Sequence, residues 1–235
     1  MRHDGYMPRI SRAVVAGVAH HVTQRGNRRE DVLFAEADRQ RYMQRLLEYS
    51  GKHGLMILAY CLMTNDVHIV CIPEKAQTFG LVFRPLDLRY TRHINLALGL
   101  TGRLWQGRPF SCALDDEHLI AAVRYVERNP VRARMVRKAE QYPWSSAAAH
   151  CGLREDRWLS PLQGLVPVRT EDWSQWLAEK EDEEMLATIR LHTRTGRPAG
   201  GKRFVSALES RLGRRLQARP IGRPRKGETP ALPKG

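Results

Sequence analysis

The sequence predicts an α+β fold, an antiparallel sheet carrying helices, on three observations. Short apolar, β-prone runs at 13–25, 55–63, 66–72 and 110–114 are interleaved with segments 36–53, 76–98 and 117–128, whose apolar residues recur at three and four. The runs 55–63 and 66–72 flank Thr64-Asn65 so closely that only a hairpin joins them, which makes their pairing antiparallel. No apolar run reaches the ~20 residues of a membrane span.

Each element has its own signal. AVVAGVAHHVTQR at 13–25 is rich in Val and Ala and stops at Gly26-Asn27, a turn pair; Arg25 to Arg29 then form a basic loop. From Glu36 to His53, Tyr42, Met43, Leu46, Leu47 and Tyr49 build a helix face, and Gly54 stops it. Pro73 ends the second hairpin strand. The segment 76–98 carries Phe79, Val82, Phe83, Leu86, Tyr90 and Ile94; Pro85 is expected to kink or split it, and Gly99 closes it. After the loop Thr101 to Pro109 comes the short strand Phe110 to Leu114. Asp115-Asp116 then starts a helix over 117–128. The helices are expected to cover one face of the sheet. Residues 153–193 are a Trp-rich connection, with 7 acidic and 2 basic residues from Glu171 to Arg190, and show no decisive periodicity.

Charge narrows the function. There are 39 Lys plus Arg against 25 Asp plus Glu, a net +14 with a pI near 10.2. Residues 194–235 alone hold 12 basic and 2 acidic residues, around one helix-like stretch, FVSALESRLGRRL. Such a tail attracts a polyanion by counterion release, and without an amphipathic anchor nucleic acid is the expected partner, not a membrane. The four cysteines lack CxxC spacing, which fits reduced thiols in the cytoplasm and disfavours a zinc site. The start, MRHDGYMPRISR, has no apolar stretch after its basic residues, so no signal peptide is expected. Neither GxxxxGK[ST] nor GxSxG occurs, which argues against an NTPase or a serine hydrolase.

Period-two alternation places Asp66 and His68 on one strand face, with Val67, Ile69 and Cys71 on the other. A carboxylate and an imidazole at i and i+2 can share one Mg²⁺ or Mn²⁺; the same pair also reads as the solvated face of a hairpin. On the helix 117–128, Leu119, Ile120, Val123 and Val126 form the apolar stripe, and Tyr125 falls outside it with His118, Ala121, Ala122 and Asn129. The phenol therefore projects from a face of small and polar residues, as a functional or a surface tyrosine. Pro130 makes Asn129 either a cap or a ligand. Tyr90, the rival phenol, sits with Phe83 and Ile94 and reads as packing. Two loops interleave charge with polar or stacking groups: Arg25, Asn27, Arg28 and Arg29, and Arg103, Trp105, Gln106 and Arg108. Trp105 is either a base-stacking platform or a core anchor. Gly-Arg-Pro occurs at 196–198 and 222–224, so Arg197, Arg223 and Arg225 fit either a minor-groove hook or a linker.

Taken together, HHVTQRGNRR at 20–29, LMTNDVHIV at 62–70, YTRHIN at 90–95, GRLWQGR at 102–108, RYVERNPVRARMV at 124–136 and YPWSS at 142–146 give the chain a family likeness. Over about 8–150 it resembles the HUH single-tyrosine transposases, especially the REP-associated tyrosine transposases. The resemblance implies a ferredoxin-like α+β domain that binds single-stranded or hairpin DNA. It also implies a metal-dependent cut by a tyrosine, which keeps the 5′ end as a phosphotyrosine. By position, Tyr125 is the nucleophile, Asp66 and His68 stand where the family has His-hydrophobic-His, and Asn129 is the third metal ligand. Asp at the first position departs from the family and leaves two readings: a nicking and rejoining enzyme using Mg²⁺ or Mn²⁺, or a DNA-binding protein that has lost catalysis. The phenol, with pKa about 10, needs a nearby cation to act near neutral pH, which suits the first. The expected organisation is a catalytic domain at 1–152, a connection at 153–193 and a basic, partly disordered DNA-binding arm at 194–235, with a homodimer left open.

Overall fold

A computed structural model describes residues 12–162 and 164–217. Strands β1 (His20–Arg25), β2 (Leu55–Leu62), β3 (Asp66–Pro73) and β4 (Phe110–Ala113) form one antiparallel sheet in the order β2-β3-β1-β4. Helices α1 (Glu36–His53) and α2 (Thr78–Leu98) complete a βαββαβ succession, the ferredoxin-like α+β arrangement. Both helices lie on one face, where Tyr42, Met43, Leu46, Phe79, Val82, Phe83 and Leu86 pack against Val22, Ile57, Val67 and Ile69. Burying side chains of this size stabilises by about 1.5–3 kcal/mol each.

The expectation of one covered face is corrected. Helix α3 (Asp116–Glu127) occupies the other face against Leu58, Cys61, Val70 and Cys112. It begins where Asp115 accepts a hydrogen bond from the His118 backbone N–H, at 3.0 Å. After the short helices α4 (Asn129–Arg132), α5 (Ala147–His150) and α6 (Trp173–Ala178), helix α7 (Glu183–Thr195) packs across α3 and β4. The physical reason lies in β2 and β3. Leu55–Leu62 and Asp66–Pro73 are apolar on both faces and buried at all but one residue, so both faces need cover.

Pro85 does not split α2, which runs unbroken for 21 residues. Phe79, Val82, Phe83, Leu86, Tyr90 and Ile94 all lie buried along its inner side, while Pro85 is half-buried and Leu81, one turn back, is exposed. The backbone bond that proline cannot make therefore falls towards water. Helix α8 (Lys202–Leu212) follows, and Leu208 and Leu216 pack on Ala13, Val15 and Ala113. Arg197 is turned inward and donates to the Leu216 carbonyl at 2.6 Å. Arg223 and Arg225 lie outside the described residues. The four cysteines form no disulfide, and among the described residues no helix is long and apolar enough to cross a membrane.

Candidate active site

Strand alternation aims His21, Thr23 and Arg25 of β1, and Asp66 and His68 of β3, at the α3 face. The register sets Thr23 opposite His68 and Arg25 opposite Asp66. His21 Nε2 meets His68 Nδ1 at 3.0 Å, the two rings lying nearly parallel with centroids 5.3 Å apart. Tyr125 comes down from α3 edge-on to both, 5.6 Å from His21 and 5.7 Å from His68. The Arg132 guanidinium lies 4.2 Å from the centre of the phenol ring, and that of Arg190, on α7, lies 5.6 Å from it. Thr193 Oγ1, also on α7, bonds His21 Nδ1 at 2.8 Å.

Tyr125 is thus 8% exposed rather than standing on a solvated helix side. Its side of α3 is indeed lined by alanines and polar groups, but α7 lies over it. Burial, reinforced by the neighbouring His68 and Arg132, pushes the His21 pKa well below the usual imidazole value, so the ring is neutral. At Asp66 burial alone would raise the pKa; His68 and Arg25 outweigh it and hold the carboxyl at about 2.

For a divalent ion the donors fit in part. His68 Nε2 and Asp66 Oδ2 are 3.6 Å apart, beyond hydrogen-bond range and about 0.6 Å wider than adjacent octahedral ligands of an ion held at about 2.1 Å, so the pair has to close slightly to share one. Arg25 sits on the same Asp66 Oδ2, at 3.0 Å from Nη2 and 3.3 Å from Nε. Asn129 Oδ1 is taken by Arg132 at 2.9 Å, so in this arrangement Asn129 is not a ligand but part of the support of Arg132. No group of three His, Cys, Asp or Glu side chains converges on one point among the described residues. Asp66 and His68 are the pair that suits the ion.

The family model described as "Transposase IS200 like" matches residues 14–129, which contain every side chain of this cluster on β1, β3 and α3. These residues carry an IS200-like transposase domain. A solved structure entitled "Structure of the REP associates tyrosine transposase bound to a REP hairpin" is 21% identical, covers 66% of this chain and 90% of its own, and superposes with a TM-score of 0.50. A second, a candidate transposase from Deinococcus radiodurans R1, is 17% identical over 54% of this chain and 92% of its own, with a TM-score of 0.33. No curated protein matches the sequence.

In the transposase domain the two basic loops adjoin. Asn27 N–H donates to the Leu104 carbonyl at 2.8 Å and Gln106 N–H to the Arg25 carbonyl at 2.9 Å. The turn depends on Gly26, because a Cβ there would stand 2.1 Å from the Glu30 carbonyl oxygen. Arg28, Arg29, Arg103, Gln106 and Arg108 are exposed, while Arg25 and Asn27 are half-buried. Of its two readings, Trp105 takes that of a core residue. It is 5% exposed, with Tyr42 and Tyr90 at ring distances of 6.2 and 5.9 Å, which leaves no free face for a base. Tyr90 packs as expected, its hydroxyl donating to the Val32 carbonyl at 2.7 Å.

Five residues at or behind the site escaped the sequence reading. His21 and Arg132 stand inside the HHVTQRGNRR and RYVERNPVRARMV motifs, so a signal existed. Glu127, in the second motif, is the buried support of the tyrosine helix. Arg190 and Thr193 come from the segment without decisive periodicity, where nothing marked them.

Proposed function

We propose that the chain is a transposase that nicks and rejoins single-stranded or hairpin DNA through a covalent bond to Tyr125. One observation carries this reading: the Tyr125 phenol lies edge-on over the paired His21 and His68 rings, with two guanidinium groups beside it. In the proposed step the phenolic oxygen attacks a backbone phosphorus, the bond from phosphorus to the 3′ oxygen breaks, and that oxygen leaves as a hydroxyl carrying the proton. The 5′ phosphate stays on Tyr125, which conserves the phosphodiester energy for rejoining. Arg132 stands beside the phenol with its charge available to the scissile phosphate, while Arg28, Arg29, Arg103 and Arg108 hold the flanking phosphates. Mg²⁺ or Mn²⁺ between Asp66 and His68, when bound, would polarise the scissile phosphate. Arg25 has to share or leave Asp66 for that, and at 43% side-chain exposure it is free to swing out. All reacting groups belong to one chain, so the reading needs no homodimer. It places the protein in the cytoplasm, with its DNA.

The test is a denaturing gel of full-length protein incubated with Mn²⁺ and hairpin or single-stranded DNA from repetitive palindromes of its host. A denaturation-resistant protein–DNA species is expected, absent in Tyr125→Phe. No adduct, or one that survives the substitution, removes the proposal.

The second reading, a DNA-binding protein that has lost catalysis, is favoured by the Arg25–Asp66 pair and by the cover over Tyr125. Asp66→His separates the two. Cleavage gained by the variant where the parent only binds supports the second reading; equal or lower activity supports a working Asp66.

A further inference from the structure

On the sheet face away from Tyr125, α2 and the loop 102–109 enclose a cleft of about 520 Å³. That volume suits a small organic ligand. Leu88 and Leu104 give it apolar walls over the buried Phe79 and Phe83, and Arg84, Asp87, Leu88 and Thr91 share one side of α2 at three- and four-residue spacing. Arg12, Arg84, Arg103 and Arg108 stand around it. Arg12 braces the loop, donating to the Pro109 carbonyl at 2.9 Å, whereas the other three are exposed.

One carboxyl faces this basic ring. Asp87 Oδ1 is buried without a hydrogen-bond partner, and the buried Gln24 side chain lies beside the same carboxyl from β1. Burial pushes the Asp87 carboxyl up to about 7, against the opposing pull of Gln24 and Arg12. Buried polar atoms are normally paired, so an unpaired carboxyl oxygen lining a cleft marks where a ligand brings the partner. A bare anion would satisfy the arginines but meet the carboxylate; an apolar molecule would leave both unmatched. A nucleotide matches all three features, with the base against the apolar wall of Leu88 and Leu104, phosphates on the arginines and base-edge donors on the carboxylate.

We propose that the cleft seats one unpaired guanine of the bound DNA strand, its N1–H and 2-amino groups donating to Asp87. Guanine alone among the four bases offers two adjacent donors on its pairing edge. The seat adjoins the basic loops proposed to hold DNA, because its loop is hydrogen-bonded to the turn carrying Arg25. The proposal rests on the reading that this chain handles single-stranded DNA.

Fluorescence anisotropy with full-length protein tests it, using labelled dT12 and dT12 carrying one central dG, dI, dA or dC. The dG oligonucleotide should bind about ten-fold more tightly than dT12, as expected of a good bidentate base contact. Deoxyinosine, which lacks the 2-amino group, should lose most of that gain. Asp87→Asn should erase the dG advantage and leave dT12 binding within about two-fold, as expected of a change confined to the base edge. Equal affinity for dG and dT12, a dG advantage that survives Asp87→Asn, or a larger gain with dA or dC overturns the guanine seat while the nicking reading stands. Failure to bind any oligonucleotide, host hairpins included, overturns both.

Discussion

Glu127 is the place to test how the tyrosine helix is held. Its carboxylate is 0% exposed and takes three donors: Ser146 Oγ at 2.5 Å, His150 Nδ1 at 2.5 Å and Trp173 Nε1 at 2.8 Å. These come from the start of α5, its end and α6, so one side chain ties the last turn of α3, two residues past Tyr125, to two other helices. Removing one partner of a buried charged pair costs about 3–5 kcal/mol, because the remaining groups stay buried and unmatched. Glu127→Ala is therefore expected to destabilise by about 4 kcal/mol; in a chain of this size that lowers Tm by roughly 8–16 °C. Glu127→Gln keeps the volume and one acceptor oxygen and should cost about half as much. Guanidinium denaturation at pH 7, followed by tryptophan fluorescence, measures both. If Glu127→Ala and Glu127→Gln both lie within about 1 kcal/mol of the parent, the network does not support α3 and the reasoning fails.

Asp87 gives a pH dependence of defined sign. Its pKa rises from 3.8 unfolded to about 7 folded, so the folded state holds the proton more tightly; the stability this contributes is complete below pH 4 and is lost as pH rises to 7. Asp87→Asn should then be more stable than the parent at pH 8, by at most about 4 kcal/mol, and equal to it near pH 4; identical pH profiles would contradict the raised value. Thr193→Val removes the hydrogen bond by which α7 holds His21 and should speed adduct formation several-fold in a timed gel assay; an unchanged rate means that this contact of α7 does not limit access. Trp105→Ala should cost about 3–5 kcal/mol in thermal denaturation, as for a large core residue, whereas loss of DNA affinity with unchanged stability would restore it as a stacking surface.

Local pattern made the sheet and its first helices legible. Apolar periodicity with Gly54, Pro73 and Gly99 as stops marks α1, the hairpin and α2, and Asp115 marks the start of α3 within one residue. Period two put Asp66 and His68 on the right face, because β3 alternates regardless of what covers it. What local pattern does not carry is the second layer. Tyr125 looked solvent-facing because the stripe on α3 is defined by the sheet, and α7 approaches from the other side out of an acidic segment of weak periodicity. Asn129 and Trp105 were open between roles for the same reason. Whether an amide meets Arg132 or an ion, and whether an indole meets Tyr42 and Tyr90 or a base, is decided by elements remote in sequence.

Those remote contacts converge on Arg132. Besides its place against the Tyr125 ring, it donates to the Tyr125 carbonyl and to Asn129 Oδ1, and it pairs with Glu181 at 2.8 Å just ahead of α7. Arg128 pairs with the same Glu181 at 3.3 Å. The cover over the phenol and the charge beside it are therefore one assembly. Lifting α7 takes Thr193 off His21 and Arg190 off the ring, and it pulls Glu181 away from Arg132. Arg132 stays anchored to the tyrosine helix by the Tyr125 carbonyl and Asn129, with its carboxylate partner gone. Any displacement of α7 that uncovered the phenol would therefore also leave an uncompensated guanidinium beside it, so cover and charge at Tyr125 are set by the same contacts.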